Sequence, residues 1–137
     1  ATLLHCHGIP VSEIAMIEAC LTSRDGTEPL GLYRGLASST KNRRIKPALA
    51  SRNASVWKQQ QQFPLVALVT FRHDIEIGAG GFRRMLGRHA EGHAIVVFGQ
   101  SDDGDFIIGD PAVGRTVWDQ RSFNRRFSGQ ALYLAKR

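Results

Sequence analysis

With 137 residues, 42% hydrophobic and 22% charged, the chain has the size and balance of one globular domain. No apolar run approaches the roughly eighteen residues of a membrane-spanning helix, and no signal-peptide pattern opens the chain. The net charge of +6 raises nucleic acid as a partner. The basic residues are scattered, however, and lack interleaved aromatics to stack bases; mild attraction to anionic surfaces or acidic peptides is expected instead of a dedicated nucleic-acid role.

Residues 1–7 read as a helix closed by Gly8, with Pro10 just beyond. Seven residues make a poor free-standing helix, so this is expected to be the tail of a longer one. Ser12 is an N-cap for a second helix to about Thr22, with Glu13 favouring its positive end. Ile14, Ile17 and Leu21 recur at helical spacing and predict its buried stripe. Thr27-Glu28-Pro29 starts a third helix, with Leu32 and Leu36 toward the core.

Residues 44–51 are read as a short strand and 65–71 as a buried one, admitted by Pro64. The excursion from Arg72 to Gly92 carries Gly78-Ala79-Gly80-Gly81 and a short helix at 82–88. Those glycines lack the following Lys-Ser/Thr of a phosphate loop and read as a surface loop beside a cleft. Arg115–Trp118 is a further strand. Asp119–Phe127 is a helix with Phe123 and Phe127 on one face, ended by Gly129, and residues 131–134 form a last strand. Helices precede strands, which argues for an α+β architecture in a single domain over 1–137.

The chemistry concentrates between His93 and Gly114. His93 opens an apolar strand, Ser101-Asp102-Asp103-Gly104 reverses the chain, and a second apolar strand ends on Asp110. With residues 100 and 103 facing each other, His93 lies opposite Asp110; a tight turn at Asp103-Gly104 would slide its partner to Gly114. The first register builds a histidine base and its orienting carboxylate. The competing reading is structural capping. His5 and His7 cannot share a helix face, and His73 is in a loop. His89, Glu91 and His93 alternate as metal ligands on a strand would, but Gly92 and the loop-like setting argue against a metal. Cys6 and Cys20 are too few for a disulfide scaffold or a Cys-x-x-Cys site. Their helical, apolar surroundings suit small hydrophobes.

Several segments resemble the bacteriocin-processing peptidases, papain-like cysteine peptidases that remove double-glycine leader peptides. They are Gly8–Ser12, Gly26-Thr27, Leu30–Leu32, Phe63–Ala67, and above all His93–Val97 with Asp110-Pro111-Ala112-Val113-Gly114, then Phe123, Phe127 and Gly129. The resemblance covers nearly the whole chain, and it implies a papain-like fold with N-terminal helices packed on a C-terminal antiparallel sheet. It also implies His93 as catalytic base, Asp110 as its orienter, and no cofactor or metal. In that family the nucleophilic cysteine and an oxyanion glutamine open the first long helix, so both are expected upstream of Ala1, and residues 1–137 alone are expected to be inactive. The implied partners are a peptide with small residues at the cleavage site and an associated ABC transporter. Transporter-associated relatives act at the cytoplasmic face, whereas stand-alone ones are exported. The alternative is a catalytically inactive peptidase-like module that binds a peptide or transport substrate.

Overall fold

A computed structural model describes residues 1–24, 26–51, 62–71 and 91–137. Among these residues three helices come first: α1 (Thr2–Cys6), α2 (Glu13–Ala19) and α3 (Pro29–Ser39). Six strands follow, namely β1 (Ile45–Ser51), β2 (Leu65–Phe71), β3 (Glu91–Gln100), β4 (Phe106–Asp110), β5 (Gly114–Trp118) and β6 (Phe127–Lys136). One helix, α4 (Gln120–Arg126), lies between the last two. The sheet order is β1-β6-β2-β3-β4-β5, every pairing among the described residues antiparallel. The α+β class holds, with helices packed on an antiparallel sheet. The loop and helix expected within 72–90, with His73 and His89, lie outside the described residues.

Strand alternation divides the interior into two layers. On β6, Ala131 and Tyr133 join Leu65, Ala67, Val69, Ile95, Val97, Phe106 and Ile108 against Phe123 of α4. Leu132 and Leu134 point the other way, to Leu3, Leu4, Met16 and Leu36 of the N-terminal helices. Phe123 is fully buried and stacks between Phe106 and Phe127, at centroid distances of 4.1 Å and 5.3 Å.

Local signals set the helix ends. The Ser12 Oγ accepts the Ala15 N–H at 3.1 Å, and Asp119 accepts the Ser122 N–H at 2.6 Å, each satisfying an otherwise orphan donor. Pro29 occupies the first turn of α3. The predicted inner stripe of α2 is wrong. Ile14 and Leu21 are 71% and 64% exposed, while Met16 and Cys20 face inward. The cause is steric: α3 offers Gly31 and Gly35, and a Cβ on either would collide with Cys20. Backbone approach, rather than side-chain hydrophobicity, selects the buried face. Gly129 also plays a different part from the one expected, since α4 ends at Arg126 and Gly129 lies inside β6 with φ +97. There the β2–β6 register shifts, and a glycine accommodates the irregularity.

The β3–β4 hairpin differs in register from the expectation. The Ser101 N–H donates to the Asp105 carbonyl at 2.8 Å, so the reversal occupies residues 102–104. Gln100 pairs with Phe106 and Gly99 with Ile107; then a bulge skips Phe98, so that Val97 pairs with Ile108 and Val96 with Gly109. Continued, this pairing sets Asp110 beside Ile95, two residues from His93. A slip of two keeps both side chains on the face expected for them, because the side-chain period is also two.

Candidate active site

His93 stands near the start of β3 and Asp110 at the end of β4, so both reach the same end of the sheet. As diagonal neighbours on one face they are within reach of a ring. His93 Nε2 lies 2.8 Å from Asp110 Oδ1. The same oxygen accepts the Ala112 N–H at 2.8 Å, and the Val113 N–H donates to the Asp110 carbonyl at 3.3 Å. The β4–β5 turn thereby holds the carboxylate by its own backbone. With Nε2–H donated to Asp110, the lone pair of a neutral ring is on Nδ1, the tautomer a general base needs.

Burial to 6% exposure disfavours the charged Asp110 carboxylate, but the Ala112 N–H and the His93 ring outweigh it and hold the group below its ordinary value. A depressed carboxylate contributes stability above its unfolded pKa, about 3.9, and loses that contribution as pH falls through the folded value. The unfolding free energies of wild type and Asp110→Asn are therefore expected to differ most near neutrality. They should converge as acid takes the solution below the folded pKa. A gap that widens on acidification would contradict this assignment.

Gly92, His93, Asp110, Ala112, Val113, Thr116, Trp118 and Arg126 line an open cleft of about 370 Å³. Trp118 is both core and wall: it is buried among the sheet residues, and the Arg126 guanidinium lies over its ring at 4.7 Å. Arg126 went unnoticed in the sequence. Its available signal was its place one helical turn after Phe123, at the end of the helix that Phe123 anchors.

The other candidates lie elsewhere. His5 Nε2 is 2.8 Å from the Val11 carbonyl, tying α1 to the link before α2. Among the described residues, no three His, Cys, Asp or Glu side chains gather as a metal site. Neither cysteine lines the cleft. Cys6 is exposed at the C-terminal end of α1. Cys20 is buried against α3, and burial pushes its thiol up.

Helices followed by a six-stranded antiparallel sheet give this chain the fold of papain-like peptidase domains. Over its full length it superposes on 87% of the peptidase domain of Streptococcus ComA, a bifunctional ABC transporter involved in quorum sensing, with a TM-score of 0.70 and 21% identity. A double-glycine-motif protease from an AMS/PCAT transporter, in complex with its leader peptide, gives 0.69 and 19% identity over 98% of this chain and 78% of that one. The peptidase C39-like domain of a Vibrio parahaemolyticus toxin-secretion ATP-binding protein gives 0.63 and 11% identity over 97% and 89%. These neighbours are of the kind the sequence resembled. No family model matches the sequence, and no curated protein matches it.

Proposed function

We propose that residues 1–137 form a single peptidase domain of the double-glycine leader-cleaving type, in which His93 is the base and Asp110 its orienter. The supporting observation is the 2.8 Å His93–Asp110 hydrogen bond at an open cleft, on a fold shared with peptidase domains of ABC transporters. Neither Cys6 nor Cys20 lines the cleft, so this reading assigns the attacking thiol to neither of them. The thiol proton passes to His93 Nδ1 and the thiolate attacks the scissile carbonyl carbon. As the tetrahedral adduct collapses, the C–N bond breaks and the imidazolium returns its proton to the leaving amine. Water then hydrolyses the thioester by the same base. Asp110 holds the ring through both transfers and stabilises its cation. The substrate is a peptide with small residues at the cleavage site, delivered beside an ABC transporter.

The lack of a cysteine in the cleft lining also suits a second reading, a module that binds such a peptide without cutting it. A double-glycine peptide incubated with the protein carrying the upstream segment, followed by mass spectrometry, separates the two. Cleavage after the glycines that is abolished by thiol alkylation supports the peptidase. Binding with the peptide intact supports the module. A peptide neither bound nor cut, with no shifts at His93 or Thr116 by NMR, sinks both.

A further inference from the structure

The end of the sheet opposite the cleft carries an unusual concentration of charge. Antiparallel pairing sets Ile45 against Lys136, and the Arg137 N–H donates to the Arg44 carbonyl at 2.8 Å. That register brings Arg44, Lys46, Lys136 and Arg137 to one corner, with Lys41 and Arg43 in the segment that enters it from α3. All six side chains are exposed, and none makes an ion pair among the described residues. No Asp or Glu occurs between Pro29 and His73, or between Gln120 and Arg137. The chain holds 18 Lys and Arg against 12 Asp and Glu, so outside these six the basic and acidic residues balance. One third of the chain's Lys and Arg thus gather at this one corner.

Such a corner attracts an anionic partner, and its shape narrows the choice. Phe, Tyr and Trp are absent from residues 41–46 and 135–137, so these segments themselves carry no ring for a base to stack on. The cations lie on a turn and on strand ends at the sheet's β1 edge, not on a helix that could enter a DNA groove. We propose that this β1–β6 corner docks on a lipid bilayer bearing anionic headgroups. The inference builds on the proposed work of the domain beside a membrane transporter. Strand direction supports it: His93 and Asp110 lie at the other end, so docking leaves the cleft open to a peptide. Asp102, Asp103 and Asp105 share the docking end, on the β3–β4 reversal. At strand spacing, β3 and β4 stand about 10–14 Å from β6, so a sheet tilted onto its β1 edge holds these carboxylates off the bilayer by more than the Debye length of about 8 Å at physiological salt.

Co-sedimentation tests the proposal, using phosphatidylcholine vesicles with and without about one-third phosphatidylglycerol. The chain should sediment only with the anionic vesicles and be released by high salt. Arg43→Gln/Arg44→Gln/Lys136→Gln should lower partitioning about a hundredfold, at roughly fivefold for each charge near the surface. Arg115→Gln/Arg121→Gln/Arg125→Gln removes the same charge from β5 and α4 and should cost less than about tenfold. Equal losses in the two triple variants, no anionic-vesicle binding, or tighter binding to duplex DNA at the same salt would overturn the proposal. His93→Ala should bind vesicles as wild type does, so failure of the peptidase reading leaves this test intact.

Discussion

His93→Ala is expected to lower kcat/KM for a double-glycine peptide by about 10²–10⁴-fold in the protein carrying the attacking thiol, the range for a general acid–base group. The more informative variants are at Asp110. Its two side-chain hydrogen bonds converge on one oxygen, Oδ1, which takes both the His93 ring and the Ala112 N–H. Asparagine can place its carbonyl oxygen there, keep both bonds and lose only the charge. A neutral acceptor in place of a charged one costs about 1–1.5 kcal/mol, or about tenfold in rate. Asp110→Ala removes both bonds and leaves the ring unheld; misplacement by about 1 Å is worth about 10²-fold. The expected order is wild type, Asn, then Ala, with the losses mainly in kcat. Equal rates for Asn and Ala would show that the carboxylate does not orient His93.

Phe123→Ala should be among the most damaging core substitutions. Phe123 is fully buried, with rings stacked on both sides. Truncating such a residue costs about 3–5 kcal/mol through lost burial and the cavity left behind. Stacking contributes about 0.5–1.5 kcal/mol per pair beyond area. Against a total stability of about 5–15 kcal/mol, that is a large share. Phe123→Leu keeps much of the volume and should cost about 1.5 kcal/mol, whereas Val117→Ala, on a residue 60% exposed, should cost less than about 0.5 kcal/mol. Urea unfolding with a common slope measures all three. A Phe123→Ala loss below about 1 kcal/mol would mean that the core collapses around the site. The same substitution should loosen the cleft, because Phe123 seats the helix that lays Arg126 over Trp118.

What could be read beforehand follows the range of each physical signal. Ser12, Pro29 and Asp119 act within a turn of their own position, and they announce helices α2, α3 and α4. Alternation along β3 and β4 identified the face shared by His93 and Asp110 even with the pairing misjudged by two residues. The inner face of α2 was not legible in the same way. It depends on Gly31 and Gly35 in another helix, and Ile14, Ile17 and Leu21 stay exposed although their spacing is right. Arg126 joins the cleft only because α4 returns past Trp118, a long-range fact that no local spacing encodes.

The bulge at Phe98 makes the hairpin's length a question of odd and even. Were the pairing near the turn, Gly99 with Ile107, carried on unbroken, Asp110 would fall beside Val96, on the face turned away from His93. One unpaired residue corrects the count, and its ring comes to rest over Gly109, where an added Cβ would stand 2.7 Å from it. A β3 strand shorter by that one residue would need no bulge and would still bring histidine and aspartate together. Variants of this hairpin can thus gain or lose the bulge along with its residue, while a single insertion left unabsorbed would separate the pair at once.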